Sequence, residues 1–323
     1  MDLLRSLKEK AEYFSDAEED QGISSVVSHI EIAERHYDGG KSGDDYLFND
    51  VIYRTNQAFE GALKEAYRIV TGKDSEKLTP HKIEIYFEEN NVLKERVLSL
   101  FTNYRTEWRN KSTHDYKLYF SEQEAFLAIV SISAFINILL DQMIEKRAYD
   151  KEASEIESGR LPGISLPPNA GLLEQVIYLL KAFSNVIPHK VSGTTIPRIT
   201  ERELIGSLTA YVNELASDIN VYSEHSIQLG DSGKRFIADF LFEYAGEKLL
   251  VEIKRALTHP LRSLRDGQEQ LVRYMAASGI EQGILYIPPL NVGVEMEVCT
   301  IKRKIGDKES TIVLLYPKSG LNK

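Results

Sequence analysis

Hydrophobic and polar residues follow different patterns in the two halves of this chain. In the first half, apolar residues recur at the three- and four-residue spacing of an amphipathic helix. That spacing predicts helices at about 23–37, 44–72, 81–106 and 121–147. The last of these is apolar almost all round, which is typical of a central or interface helix. The first half is therefore predicted to be an all-α helical bundle.

Helical and strand patterns alternate in the second half. Apolar residues between Leu204 and Leu215 fit a helix, and Thr200 with Glu203 predicts a capping box at its start. The whole region reads in the order helix, three strands, helix and strand. Its clearest later elements are two strands, a helix and a strand, at 236–244, 247–254, 264–277 and 283–288. This order predicts an α/β domain with a central mixed sheet.

A polar and proline-rich stretch separates the two patterns. Residues 149–159 are mostly polar, and residues 161–168 contain three prolines, a composition typical of a linker. A further helix is predicted at about 170–186. These boundaries predict two domains joined by a linker and a connecting helix, at 1–147, 148–194 and 195–323.

The two strand-like runs at 236–244 and 247–254 place three charged residues together. Ala245-Gly246 separates the runs, and a two-residue loop containing glycine predicts an antiparallel hairpin. Counting outward from this loop places Asp239 directly opposite Glu252. Because side chains alternate faces along a strand, Asp239, Glu252 and Lys254 are predicted to share one face of the sheet.

Two other turns would change this arrangement. A loop at Gly246-Glu247 keeps the shared face but pairs Asp239 with Lys254. A three-residue loop without a compensating bulge separates the residues onto different faces. A simpler interpretation also exists: the three residues form a surface salt bridge on an amphipathic hairpin, since Asp, Glu and Lys are common.

Two carboxylates on neighbouring strands suggest metal chemistry. At about 5 Å apart they repel each other, and a cation between them relieves that repulsion. Oxygen ligands of this kind suit Mg²⁺ or Mn²⁺. An ammonium group on the same face, from Lys254, can orient a water or offset charge on phosphorus. Together, Asp239, Glu252 and Lys254 are suited to metal-assisted phosphodiester hydrolysis.

This region resembles the PD-(D/E)xK nuclease superfamily, the fold of restriction endonucleases, over residues 195–290. The element order and the Gln270-Leu-x-x-Tyr274 sequence, which is similar to the Q-h-x-x-Y element of its exonuclease-like branches, carry the resemblance. It implies that Asp239 and Glu252 are metal ligands and Lys254 is the catalytic lysine. It further implies that Gln270 and Tyr274 position the DNA backbone. Ala238 stands where the family name has proline.

Glu203 is a weaker match to the same family. Some members carry an acidic residue on the first helix of the core, and Glu203 lies on the corresponding helix here. The resemblance therefore implies that Glu203 is a third metal ligand.

A second group of candidate residues lies in the helical half. Arg109-Asn110 precedes His114 and Tyr116, and a capping box at Ser121–Glu124 indicates that about 110–120 is a loop. Histidine exchanges protons near neutral pH and arginine grips phosphate bidentately, so the pair suits metal-free ribonuclease chemistry. The alternative interpretation is that both residues cap helix ends.

A helical bundle carrying Arg-x4-His-x-Tyr before its last long helix resembles the HEPN family of ribonucleases and toxins. The resemblance implies that Arg109 and His114 are catalytic, that Asn110 assists and that Tyr116 is a modification site. It also implies a homodimer formed through the helical bundle, in which the loops of two chains build one site. Many family members are inactive, which leaves a scaffold role open.

Composition and charge narrow the setting. The net charge is −10, but it is confined to residues 1–160, whereas 161–323 balance to zero. Residues 254–273 hold a local basic excess beside the candidate metal site, which includes Arg255 and Arg273 and is suited to a phosphate backbone. The single cysteine favours a reducing cytoplasm. The apolar run near 125–140 is too short and interrupted to predict a membrane span.

The predicted function is metal-dependent cleavage of phosphodiester bonds, most readily of DNA, with Mg²⁺ or Mn²⁺. The resemblance of both halves to nuclease families that are common in prokaryotic conflict systems implies a role in antiphage defence, an inference by association only. One alternative is a metal-independent ribonuclease toxin that acts through Arg109 and His114, with the C-terminal domain binding nucleic acid. The other is a non-enzymatic dimeric scaffold with two degenerate sites.

Overall fold

Two compact units make up the chain, Met1–Arg147 and Ala148–Lys323. The structure is a computed structural model that describes residues 2–15, 20–90, 92–109, 119–161, 163–187, 199–230, 233–255, 260–289 and 294–318. The first unit is built of helices, and the second combines helices with a mixed sheet. This confirms the predicted layout of a helical part followed by a part with a central mixed sheet.

Helices form the described part of the first unit. They are α1 (Leu3–Ala11), α2 (Asp20–Lys41), α3 (Leu47–Thr71), α4 (Pro80–Glu89), α5 (Glu95–Tyr104) and α6 (Glu122–Glu157), with a π-helical turn at Arg105–Arg109 after α5. Their apolar stripes converge on one core. At its centre, Phe59 of α3 packs on Phe101 of α5 and Phe135 of α6, with ring centroids 5.5 and 5.6 Å apart.

The single helix predicted at 81–106 is two helices. Asn90 ends α4, because its backbone N–H and its side-chain Nδ2 both donate to the Tyr86 carbonyl, at 3.1 and 2.8 Å. An asparagine side chain that competes for a backbone acceptor favours a helix end over a helix interior. Apolar residues continue at helical spacing on both sides of Asn90, so periodicity alone did not reveal the break.

The long helix α6 is apolar enough, by length and composition, to cross a membrane. The core helix of a soluble protein passes the same test. In this structure Ile132, Phe135 and Ile136 are fully buried within the helical unit. The composition of α6 therefore fits its place in a core.

The polar stretch predicted as a linker begins as helix. α6 continues to Glu157, and within the second unit Glu152 is buried while Ile156 packs against the core. The helix ends just before Gly159, which adopts a left-handed φ of 69°. Residues 148–157 contain neither glycine nor proline, so nothing in them stops a helix before the first residue suited to a C-terminal cap.

The second unit is built around a six-stranded sheet with the order β1-β2-β3-β4-β6-β5. Parallel pairing joins β3, β4 and β6, and all other neighbours are antiparallel. Besides the end of α6, the helices that the structure describes in this unit are α7 (Leu172–Ser184), α8 (Glu201–Leu215) and α9 (Pro260–Ser278). The strands are β1 (Asn220–Gln228), β2 (Arg235–Tyr244), β3 (Glu247–Ile253), β4 (Gln282–Tyr286), β5 (Met296–Ile305) and β6 (Lys308–Pro317).

Helices cover both faces of this sheet. Residues of α7 and α8 form one core with alternate strand residues such as Phe240 and Val251. Residues of α9 form a second core with Leu250 and Leu285, which point to the opposite face. Glu252 has the same parity as Leu250 along β3, so its side chain lies on the α9 face. The predicted order of helix, three strands, helix and strand is confirmed.

The hairpin between β2 and β3 has the predicted two-residue turn. Tyr244 pairs with Glu247, and the register continues to Phe240 opposite Val251. Ala245 and Gly246 both have positive φ, 49° and 85°, as a type I′ turn requires. This register keeps Asp239, Glu252 and Lys254 on one face and excludes the alternative turn at Gly246-Glu247.

Replacing Ala245 with asparagine is expected to stabilise this hairpin. An L-residue with a Cβ is strained by about 1 kcal/mol at positive φ, and asparagine tolerates that conformation far better. Ala245 is exposed, so the new side chain meets no obstruction. Hydrogen exchange at the Leu249 and Val251 amides should slow by roughly fivefold, the equivalent of about 1 kcal/mol. Gly246→Ala is the opposite control and should speed exchange, and unchanged exchange in Ala245→Asn would contradict the turn assignment.

Candidate metal centre

Asp239 lies where the β2–β3 ladder ends. The last backbone pair is Phe240 with Val251, and beyond it the Asp239 carboxylate Oδ2 accepts the Ile253 backbone N–H at 2.6 Å. A side-chain oxygen thus replaces the backbone carbonyl that would have continued the ladder. This hydrogen bond fixes the Asp239 carboxylate next to the C-terminal end of β3.

Glu252 occupies the interior of the sheet. It sits on β3 opposite Leu285 of β4, and only 1% of its surface is exposed. Its Oε1 accepts a hydrogen bond from Lys254 Nζ at 2.7 Å. Its Oε2 is also buried, and it has no hydrogen-bond partner among the residues that the structure describes. A buried carboxylate oxygen without a partner is costly, and such an atom suggests that a ligand completes the site.

Burial disfavours charge on both carboxylates, and the charge of Glu252 adds to this effect at Asp239. Burial, followed by the negative charge of Glu252, raises the pKa of Asp239 to about 7, against the opposing effect of the Ile253 N–H. Burial likewise raises the pKa of Glu252, although the Lys254 ammonium pulls it in the other direction. A divalent cation would reverse this balance, because it stabilises both carboxylates in their ionised form.

Lys254 follows β3 and faces the two carboxylates. Its backbone N–H donates to the Tyr286 carbonyl at 2.9 Å, which continues the pairing with β4 and aims the side chain at the site. Burial alone would lower the pKa of Lys254, but the charge and hydrogen bond of Glu252, together with Asp239, raise it on balance. The side chain therefore remains an ammonium ion at neutral pH.

The acidic residue of α8 that acts on this centre is Glu201. Burial remains the largest effect on the pKa of Asp239 and of Glu252, and Glu201 adds a smaller raising effect to both. Glu203, by contrast, is used locally: its Oε2 accepts from the Thr200 N–H at 2.8 Å and from the Thr200 hydroxyl at 3.1 Å. The predicted capping box is thus confirmed, and it occupies the carboxylate that the sequence suggested as a metal ligand.

An ion pair ties the start of α8 to the sheet beside Asp239. Arg202 Nη1 donates to the Glu224 carboxylate, and both side chains are largely buried. Glu224 lies between the β1–β2 pairs Ser223–Phe240 and His225–Ala238, at the level of Asp239. It holds a φ of 50°, a strained conformation for glutamate. The ion pair therefore ties the first turn of α8, which also contains Glu201, to β1 at the level of Asp239.

One flank of α9 faces the same centre. Gln270 Nε2 donates to the Tyr274 hydroxyl at 2.6 Å, and the Tyr274 ring packs on Phe236 at a centroid distance of 5.2 Å. Burial raises the pKa of Tyr274, Gln270 opposes this, and the Glu252 and Asp239 charges raise it further. The structure thus brings Gln270 and Tyr274 into electrostatic reach of the carboxylates.

Gly267 allows α9 to approach this closely. A Cβ at Gly267 would lie 2.8 Å from Leu285 Cδ1 and 3.0 Å from Lys254 Cγ, which is closer than ordinary packing permits. Any larger residue would push α9 away from the stem of Lys254. Sequence reasoning missed Gly267, since an isolated glycine in a helical pattern carries no sign of what it contacts.

The two arginines predicted to bind nucleic acid have different surroundings. Arg255 Nη1 donates to the Ile199 carbonyl at 3.0 Å, so part of its guanidinium anchors the residue before α8. Arg273 is exposed on α9 and lies 3.7 Å from Glu269. The guanidinium of Arg273 is therefore accessible to a phosphate, whereas Arg255 uses part of its guanidinium for a contact within the protein.

The second group of candidate residues is described only at its edge. Arg109 ends the π-helical turn after α5, with Nη2 at 3.5 Å from Glu60 Oε1 of α3. Asn110, His114 and Tyr116 lie outside the described residues. The proposed meeting of Arg109 and His114 therefore stays a prediction.

The donor set of the C-terminal centre fits magnesium or manganese. Within the described ranges, no group of three or more His, Cys, Asp and Glu side chains could hold a metal ion. Mg²⁺ does not require such a group, because it keeps several waters and is often bound by one or two carboxylates plus substrate phosphate. Asp239 and Glu252, whose Oε2 has no hydrogen-bond partner in the described ranges, supply that pair. Zinc, which favours nitrogen and sulfur ligands, fits this set poorly.

Replacing Asp239 with asparagine is expected to raise the free energy of unfolding at pH 8. With its pKa raised to about 7, Asp239 binds a proton in the folded chain between about pH 4 and 7 that it loses in the unfolded chain. Stability therefore falls as pH rises through this range. Asparagine removes that dependence and retains an oxygen to accept the Ile253 N–H. We expect a gain on the order of 1–3 kcal/mol at pH 8 and much less at pH 5.

Urea unfolding at both pH values, without divalent metal, measures this difference. Asp218→Asn removes an exposed carboxylate of the same unit and is the control. It should shift stability little, and equally at both pH values. Destabilisation by Asp239→Asn at pH 8 would contradict the assignment of Asp239 as a strained, charge-repelled carboxylate.

A scan against models of known protein families and searches of curated proteins and of solved structures find no match to this chain. The site is therefore defined by its own geometry: a buried and a partly buried carboxylate, one ammonium group and a glutamine–tyrosine pair beside one face of a mixed sheet. The resemblances found in the sequence stay predictions.

Proposed function

We propose that the C-terminal unit is a divalent-metal-dependent nuclease that hydrolyses phosphodiester bonds, with DNA as the favoured substrate. The single observation that carries this proposal is Glu252 Oε2, a buried carboxylate oxygen without a partner among the described residues, next to the partly buried carboxylate of Asp239. A purely structural salt bridge would pair both carboxylates with cations, yet in the part of the chain that the structure describes the Lys254 ammonium is hydrogen-bonded only to Glu252 Oε1.

Asp239 and Glu252 would hold the metal ion. When bound, Mg²⁺ or Mn²⁺ supplies charge stabilisation at phosphate oxygens and a more acidic bound water. Because the pKa of Asp239 is raised to about 7, protonation competes with metal binding below that pH. The apparent metal affinity should therefore increase from pH 6 to pH 8.

Lys254 serves as a cation in this proposal, and it does not act as a general base. Its raised pKa keeps the ammonium protonated, and Glu252 orients it over the same face as the two carboxylates. An ammonium so placed stabilises negative charge that develops on phosphoryl oxygens in the transition state. This role needs a positive charge at a defined position and no exchangeable proton. Arginine in place of Lys254 would keep the charge but would not place it at the same point.

Gln270 and Tyr274 would position the substrate backbone. The Tyr274 hydroxyl accepts a hydrogen bond from Gln270, so its own proton is directed elsewhere and can be donated to a phosphate oxygen. Both residues lie on the α9 flank that faces the carboxylates. They are suited to hold a phosphodiester in place without reading the base sequence.

Cleavage assays with Glu252→Gln test this proposal directly. Purified protein should cleave DNA in the presence of Mg²⁺ and lose activity in EDTA. Loss of a metal ligand is expected to reduce the rate by at least about a hundredfold. Glu243→Gln is the matched control, since Glu243 lies in the same hairpin and pairs with Lys248 at 2.5 Å, away from the centre. It should retain activity.

Other outcomes of the same assay support the alternatives. Cleavage of RNA that survives EDTA but is lost in His114→Ala would support the metal-independent ribonuclease. Absence of cleavage on DNA and RNA under all conditions would support the scaffold. Either result would overturn the metal-dependent nuclease.

Glu201 and Glu203 are expected to behave differently. Glu201→Gln should weaken metal-dependent cleavage by roughly tenfold, because it removes negative charge that acts on the centre. Glu203→Gln keeps an oxygen for the capping box and should alter stability by about 1 kcal/mol or less, with cleavage retained. Cleavage rates and melting temperatures of the two variants test this expectation. A larger loss of activity in Glu203→Gln than in Glu201→Gln would contradict it.

A further inference from the structure

A groove of about 430 Å³ lies on the side of α9 away from the candidate metal centre. The residues that line it are Arg265, Gln268, Glu269, Val272 and Arg273 of α9 and Arg303 of β5. Among the described residues, three arginines and one glutamate line the groove, and Asp266 lies beside one of the arginines. This is a strong local reversal of sign in a chain whose net charge is −10. Such a surface attracts a polyanion.

The arginines of this groove are weakly held by protein partners. The side chains of Arg265 and Arg273 are 73% and 67% exposed, and each lies 3.7 Å from an acidic neighbour, Asp266 and Glu269 respectively. Exposed ion pairs of this length contribute little free energy. Phosphate oxygens, which match the planar guanidinium fork, can replace them.

Arg303 reaches the groove because of the alternation along β5. Ile301 and Ile305 pack against the core beneath α9, so Arg303 between them points to the same face. Lys302 and Lys304 point to the opposite face of the strand. Arg303 is thus brought to the α9 arginines by the fold, from a position thirty residues later in the chain.

Arg273 connects the groove with the candidate metal centre. On a regular helix, residues three apart differ by about 60° in direction, so Arg273 is a near neighbour of Gln270 around α9. Gln270 faces the metal centre, whereas Arg273 lines the groove. A nucleic-acid strand bound at Gln270 and Tyr274 would therefore pass Arg273 on its way from the metal centre to the groove.

We propose that the groove between α9 and β5 binds the sugar–phosphate backbone of the nucleic acid beyond the segment held at Asp239 and Glu252. The partner is identified by charge complementarity: spaced guanidinium groups fit successive phosphates and read no base. This inference rests on the proposed nuclease function for its partner. Its own evidence is the convergence of Arg265, Arg273 and Arg303, which contributes nothing to the metal centre.

The test measures nucleic-acid binding in EDTA, so that cleavage does not intervene. Fluorescently labelled single-stranded and duplex DNA and RNA of equal length are titrated with the full chain at several salt concentrations. Arg303→Glu should lower affinity roughly tenfold, and Arg303→Ala should reduce the slope of log K against log salt by about 0.7–0.9, the value of one lost phosphate contact. Lys302→Glu is the matched control, because it makes the same charge change on the next residue of β5 but on the other face.

Weaker binding by Arg303→Glu with normal binding by Lys302→Glu supports the groove. Equal weakening by both variants means a general charge effect and overturns it, as does normal binding by both or absence of binding by the unmodified chain. Arg303 is exposed, so thermal unfolding should match the unmodified protein. Binding without any cleavage would overturn the nuclease and leave the groove standing. Metal-dependent cleavage together with full binding by Arg303→Glu would overturn the groove and leave the nuclease proposal standing.

Discussion

The burial of Glu252 next to Asp239 is the constraint on which the rest of the second unit depends. Two carboxylates are placed inside a sheet with one ammonium group for both, and the oxygen Oε2 of Glu252 has no partner among the described residues. Without a cation, burial raises the pKa of both acids. With a divalent cation, the same arrangement becomes a ligand set. A pair of carboxylates that lowers the stability of the fold when no cation compensates their charge is typical of a functional site, because folding alone does not favour such a pair.

The surrounding structure holds this pair in place at several levels. The β2–β3 ladder stops at Phe240 and Val251, and the Asp239 carboxylate takes over the Ile253 N–H. Arg202 and Glu224 fix the start of α8 at the same level of the sheet. On the other side, Gly267 lets α9 close over Lys254. Each contact is made by backbone or by partly buried side chains, and together they position the charged groups of the centre, as catalysis by charge stabilisation requires.

The sequence predicted what short-range rules determine. The period of two along a strand and the Ala245-Gly246 turn were enough to place Asp239, Glu252 and Lys254 on one face, and Thr200 with Glu203 was enough for the capping box. It did not predict that Glu201 rather than Glu203 acts on the centre, because that depends on how α8 is rotated against the sheet. The helix at 148–157 was hidden by polar residues, and the break at Asn90 by continuing periodicity. Arg303 reached the α9 groove only through the tertiary fold.

Diffraction from crystals soaked in Mn²⁺ tests the central claim most directly, because the anomalous signal of manganese locates the ion without reference to activity. The account predicts a peak bonded to Glu252 Oε2 and to an oxygen of Asp239, at distances of about 2.0–2.3 Å. A saturated crystal with no peak at this position, and with Oε2 hydrogen-bonded to a protein group instead, would contradict it.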